Sequence, residues 1–190
     1  MKKDTEVIAS KTPHDCSAAE LQDFAALVLA GGEVTAVELE VRIKKAEKLI
    51  FLEQDGCLKG VAALKNPEKN YKERVFRKAQ ANFEAKQFLF ELGYVFVLPS
   101  SRGAGFSHKL VEVALSVAGG QAIFATSRAD NAPIHKVLKA HGFYCHGKTY
   151  ASSRGNQQLV LFVRNAAQQG APAAKAACEL GRWAPRRYPC

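Results

Sequence analysis

Apolar residues recur along the chain with two periods, one near four and one near two, and the switches between them mark the elements. Ser17-Ala18-Ala19-Glu20 reads as a capping box ahead of LQDFAALVLA and a Gly31-Gly32 stop, which predicts a first helix. In TAVELEVRIKKAEK, Val37, Leu39, Val41 and Ile43 alternate as in a strand, while Leu39, Ile43 and Ala46 recur at helical spacing; the Glu- and Lys-rich composition favours a second helix. LIFLEQDGCLKGVAAL holds two short apolar runs around Asp55-Gly56, a dipeptide suited to the positive φ angles of a tight hairpin. Tyr71, Val75 and Ala79 then fall four apart, predicting a short helix over Asn70 to Ala81, followed by a strand over Gln87 to Leu98. FSHKLVEVALSVA puts Phe106, Leu110, Val113 and Ala114 on one helical face. QAIFATS reads as a buried strand, Asn131 to His141 as a helix stopped by Gly142, and YCHGKTYAS with NQQLVLFVR as a closing hairpin around Arg154-Gly155. The resulting order is helix, helix, strand, strand, short helix, strand, helix, strand, helix, strand, strand. That alternation predicts an α/β domain (α+β in some schemes) with a central mixed sheet flanked by helices.

Composition sharpens the picture. A chain of 190 residues, 47% of them hydrophobic, suits one domain, which at this length buries roughly 70% of its unfolded surface. The longest apolar run, Phe24 to Ala30, is far too short to cross a bilayer, and the N-terminal stretch lacks the apolar core of a signal peptide, so a cytoplasmic protein without a membrane partner is expected. Five scattered cysteines with no C-x-x-C pair argue against a disulfide framework and a structural zinc site. The net charge of +9 favours anionic partners and says little about fold. Residues 1–164 are read as the domain and 165–190 as an Ala- and Pro-rich basic extension with a short helix at Pro172 to Leu180. The extension is read as solvated, or as an arm that touches a partner or the second copy of a homodimer.

The segment VLPSSRGAGFS carries the chemistry. A helix that begins directly after a buried strand presents free backbone N–H groups and the positive end of its dipole, and glycines let an anion approach without meeting a Cβ. The mononucleotide loop G-x-x-x-x-G-K-[ST] is absent. The dinucleotide pattern G-x-G-x-x-G breaks after Gly103-Ala104-Gly105, where Phe106, Ser107 and His108 follow.

The same segment matches V-x-P-x-x-R-G-x-G-x-[GA], and in this it resembles the GNAT superfamily of acyl-CoA-dependent N-acetyltransferases. The signature R-x-x-G-x-[GA] falls on Arg102, Gly105 and Ser107, with serine at the last small position. Asn131, Ile134, Val137 and Gly142-Phe143 fit a second family pattern, and the likeness spans Leu49 to Arg164. The resemblance implies a GNAT-like, mostly antiparallel sheet and acetyl-CoA as cosubstrate. It implies that N–H groups of Gly103, Ala104, Gly105, Phe106 and Ser107 hold the pyrophosphate, that Arg102 adds charge, and that Asn131 joins the cofactor site. The strand edge at Phe96 and Val97 would pair with pantetheine, and a backbone N–H near Val97 or Leu98 would polarise the thioester carbonyl.

Direct attack by an amine needs a base, and the leaving thiolate needs an acid or another means of stabilisation. Glu91, on the strand entering the corner, is the candidate base or amine binder; strand alternation sets it opposite Phe90, Leu92, Tyr94 and Phe96, and a solvent-facing glutamate is the competing reading. The family's frequent tyrosine acid, four residues before Gly-Phe, is Leu138 here. Ser127, His135, Tyr144 and Cys145 are then the candidate acids. His141, Cys145 and His146 lack a fourth partner, so no metal is expected. The expected activity is acetyl transfer from acetyl-CoA to a primary amine. The alternatives are a noncatalytic acyl-CoA-binding module and, with less support because nucleic acid is suggested only by charge, acetylation of aminoacyl-tRNA.

Overall fold

The computed structural model describes residues 5–153 and 156–166. Its strands are β1 (Glu6–Lys11), β2 (Ala46–Gln54), β3 (Cys57–Lys65), β4 (Phe90–Val97), β5 (Ile123–Arg128), β6 (Tyr144–Cys145), β7 (Tyr150–Ala151) and β8 (Gln158–Arg164). Its α-helices are α1 (Ala18–Ala30), α2 (Leu39–Lys44), α3 (Lys69–Lys78), α4 (Phe106–Val117) and α5 (Ala132–Ala140). One sheet runs in the order β1-β2-β3-β4-β5-β8-β6, with β7 also on β8; among the described residues only β4 and β5 are parallel neighbours. This is the expected mixed, mostly antiparallel sheet flanked by helices. The proposed tail helix and the Arg154-Gly155 turn lie outside the described residues.

Local chemistry explains most elements. Ser17 accepts the Glu20 N–H while the Glu20 carboxylate accepts the Ser17 N–H, so two of the free donors at the start of α1 are satisfied. Asp55 (φ 53°) and Gly56 (φ 73°) supply the turn between β2 and β3. Three expectations change. The edge strand β1, absent from the predicted order, pairs along β2 from Glu6↔Gln54 to Lys11↔Leu49. The second helix is confined to Leu39–Lys44, because Ala46 already begins β2, where Ala46, Leu49 and Phe51 bury against Phe24 and Val28 of α1. The segment expected as one strand before the last divides into β6 and β7. Gly147 (φ 77°) lies between them, and a Cβ there would come within 2.1 Å of the Ala79 carbonyl oxygen just past α3. The Lys148 N–H donates to that same carbonyl at 2.6 Å.

Two layers of helices cover the sheet. α4 and α5 bury Leu110, Val111, Ala114, Val137 and Leu138 against Ile50, Leu64, Leu92 and Phe162. On the other face α1 and α2 pack over β2 and β3, while α3 sets Val75 and Phe76 against Phe88, Phe124 and Leu161.

Strand β4 positions the site. Val61 stands opposite Phe96 and Ala63 opposite Gly93, so Tyr94 and Val95 together face Ala62, and Tyr94 takes φ 55°. This is a β-bulge, which adds one residue and reverses the facing of everything after it. The alternation expected for the whole strand therefore holds only as far as the bulge. Phe90 and Leu92 face α4, opposite Glu91, but Tyr94 and Phe96 turn to the α1 layer and Val95 and Val97 to the α4 layer. The parallel pairing of β4 with β5 stops at Leu92↔Ala125, although both strands continue. Beyond that point they part.

Candidate active site

The corner after β4 is built from a Pro99–Ser101 turn and two glycines in the left-handed region, Gly103 (φ 87°) and Gly105 (φ 77°). Gly105 caps α4 without any side-chain bond. The N–H groups of Gly103, Ala104, Gly105, Phe106 and Ser107 have no acceptor among the described residues. A Cβ on either glycine would meet no protein atom within 4 Å, so the amides open onto free space. Positive φ is costly for any other L-residue, and five free amides at a helix start make a seat for an anion.

Arg102 turns back onto the strand, where its Nε donates to the Val97 carbonyl at 3.4 Å. The Leu98 N–H donates to the Lys59 carbonyl at 2.9 Å, so this amide is committed to β3 and cannot polarise a thioester. Backbone groups of successive strand residues point to opposite edges, which leaves the Val97 N–H on the open side toward β5. Sequence reasoning had left these two amides as equals. Asn131 caps α5, its Oδ1 accepting the Ile134 N–H at 3.5 Å.

Glu91 is 3% exposed, so the solvent-facing reading is incorrect. Its Oε1 is held by three side chains. The Tyr71 hydroxyl donates at 3.1 Å, the Thr126 hydroxyl at 3.4 Å, and Lys65 Nζ stands 2.9 Å away. Lys65 reaches it across Gly93, where a Cβ would collide with Lys65 Cε at 2.6 Å, and its ammonium also lies 4.9 Å from the centre of the Tyr94 ring. Glycine at 93 thus clears the path for a buried ion pair. Burial, then the Glu91 charge, pushes the Tyr71 hydroxyl far above the ordinary range for a phenol, and the same two causes raise Tyr150. Both phenols stay protonated donors.

The candidate acids are scattered. Ser127 lies on β5 beyond its last partner on β4, its hydroxyl donating to the Arg128 carbonyl at 3.3 Å. His135 sets Nε2 2.9 Å from that same carbonyl and packs on Phe162 at 4.9 Å, while burial lowers its pKa. Tyr144 pairs with Val163 near the other end of β8 and accepts a bond from Asn165, so the structure does not bring it to the parting. Cys145 packs half-buried beside it against the α4 layer. Leu138 is 2% exposed, within the apolar core. Of the three residues weighed for a metal, His141 stands 3.3 Å from His108 and His146 accepts the Asn82 N–H, so they serve separate contacts. Sequence reasoning missed Lys65, Thr126 and Tyr150 altogether, and saw Tyr71 only as an apolar face residue. These residues sit on four elements, and no spacing along the chain links them.

A family model described as Acetyltransferase (GNAT) family matches residues 18–143. No curated protein sequence matches the chain. Solved structures are similar in fold. An acyl-CoA N-acyltransferase from Pseudomonas aeruginosa superposes with TM-score 0.60 at 16% identity, covering 84% of this chain and 99% of that one. yncA from Salmonella typhimurium, solved with its cofactor acetyl-CoA, gives 0.59 at 16% identity over 90% and 99%. FeeM, an N-acyl amino acid synthase from uncultured soil microbes, gives 0.66 at 12% identity over 86% and 92%.

Proposed function

Because the chain belongs to the acetyltransferase (GNAT) family, we propose that it moves an acetyl group from acetyl-CoA directly to a primary amine, without an acyl-enzyme. The observation that carries this reading is the parting of β4 from β5 after Leu92↔Ala125, beside a helix mouth with five free amides. A long, thin cosubstrate with a diphosphate fits those two features at once. The related fold of yncA, solved with acetyl-CoA, supports the same reading.

The geometry supports the following roles. Amides from Gly103 to Ser107 seat the diphosphate, and Arg102 releases the Val97 carbonyl to add charge there. The freed edge at Phe96 and Val97 lines the pantetheine arm, and Asn131 approaches it through the amide nitrogen that its capping bond leaves over. The Val97 N–H donates to the thioester carbonyl oxygen as negative charge builds on it. Glu91 takes a proton from the incoming ammonium, directly or through one water, and Tyr71, Thr126 and Lys65 fix its orientation through Oε1. As the N–C bond forms and the C–S bond breaks, the nitrogen sheds its second proton, and the departing thiolate takes one up. We assign that transfer to Ser127, on β5 past the parting, or to His135 of α5, whose ring meets the same Arg128 carbonyl, rather than to Tyr144.

Titration calorimetry with CoA and a thiol-release assay over a panel of primary amines test the proposal. Binding with sustained release is expected; no heat with either CoA or acetyl-CoA sinks it. A second reading, a noncatalytic acyl-CoA-binding module, draws on buried Leu138 at the position of the family's usual tyrosine. Tight binding with no thiol release from any amine selects that reading.

A further inference from the structure

Resting on the transferase reading above, we propose that the acceptor amine carries a carboxylate, held by Arg74 and the Tyr150 hydroxyl in the pocket between α3 and β7–β8. This pocket is walled by Tyr71, Arg74, Lys78, Tyr150 and Leu159 among others, and Tyr71 connects it to Glu91 through its hydroxyl. Three observations converge on an anion.

First, the general base brings no net negative charge to attract a polycation, because Glu91 is paired with Lys65 at 2.9 Å. Second, the pocket wall is cationic and its charge is unanswered. Among the described residues no carboxylate forms an ion pair with Arg74 or Lys78; the Arg74 guanidinium lies 5.8 Å from the Tyr71 ring centre, and Lys78 Nζ reaches only the Ala151 carbonyl at 3.3 Å. Third, Tyr150 is 8% exposed and its buried hydroxyl has no hydrogen-bond partner among the described residues. An unmet buried hydroxyl costs stability, so a ligand oxygen that accepts from it gains that contact. Since Tyr150 remains protonated, it is a donor. A planar guanidinium beside one hydroxyl donor matches the two oxygens of a carboxylate. The acceptor class is therefore an amino acid or a similar amino-carboxylate.

The test pairs acceptors that differ by the carboxylate alone, namely L-phenylalanine against phenethylamine, L-leucine against isopentylamine and glycine against methylamine, in the thiol-release assay. In at least one pair the acid is expected to exceed the amine in kcat/KM by roughly tenfold or more, the worth of one charged hydrogen bond. Arg74→Gln and Tyr150→Phe are each expected to shrink that ratio through KM. Arg74 is exposed, so its variant retains the fold, and thermal melting verifies this for both variants. Equal rates within every pair, or a preference that survives both substitutions, overturns the inference while leaving the transferase reading intact. CoA binding with no release from any acceptor overturns both.

Discussion

At the scale of single residues, the proposed base is a carboxylate whose Oε1 is held by Tyr71, Thr126 and Lys65. Glu91→Gln keeps the shape and leaves the Tyr71 and Thr126 donors an acceptor, so the fold and CoA affinity are expected to persist while kcat falls on the order of 10²-fold, the usual worth of a positioned base. Steady-state kinetics beside calorimetry separates the two effects. Leu138 makes the complementary case. Restoring the family's tyrosine by Leu138→Tyr inserts a larger side chain and a hydroxyl into a site 2% exposed. A loss of about 1–3 kcal/mol is expected from overpacking alone, with no rise in kcat. Urea melts and turnover measurements check both halves, and a faster enzyme would return the acid role to that position.

At the scale of elements, α1 offers the clearest measurement. Its cap is a reciprocal pair, so Ser17→Ala is expected to cost about 1 kcal/mol in a denaturant titration. The Lys11 ammonium, then the Ser17 backbone and side chain, hold Glu20 down at about 2 from an ordinary 4.5. A lowered carboxylate pKa stabilises the fold above the unfolded value, and that contribution disappears as pH falls from about 4.5 toward 2. Melting temperature should drop through that window, and Glu20→Gln should flatten the drop. This helix was legible because its signals are local, and so was the hairpin at Asp55-Gly56. Strand β1 was not, because a six-residue edge strand takes its identity from β2 rather than from its own pattern. The bulge in β4 was hidden for a similar reason: Tyr94 adopts a positive φ without being glycine, so nothing in the sequence marks the reversal of facing. In the candidate site the glycine corner could be read from one short segment. The ring of donors around Glu91 could not, since Lys65, Tyr71 and Thr126 meet only once β3, α3 and β5 have assembled.

At the scale of the whole molecule, a cosubstrate seated between β4 and β5 as proposed would bridge the two halves of the sheet, joined there through Phe90, Glu91 and Leu92 of β4. Saturation should therefore raise thermal stability strongly. At 100 times the dissociation constant the gain is about 2.7 kcal/mol, a rise of roughly 5–10 °C for a chain of this size. A melting curve that ignores CoA would contradict the seat assigned to it. The contact of Gly147 beneath the Ala79 carbonyl has a consequence for traffic through the pocket proposed for the acceptor. Helix α3 faces Tyr150 of β7 and Leu159 of β8 across that pocket, and beside it the chain after α3 is fastened to the connection before β7 by Lys148 N–H on the Ala79 carbonyl and Asn82 N–H on His146, with Lys78 of α3 on the Ala151 carbonyl of β7. A guest cannot widen the gap by swinging one wall away from the other. Its girth is gauged by a frame of set width, and a Gly147→Ala change, by wedging that frame apart, would alter which bodies pass before it altered any group that touches them.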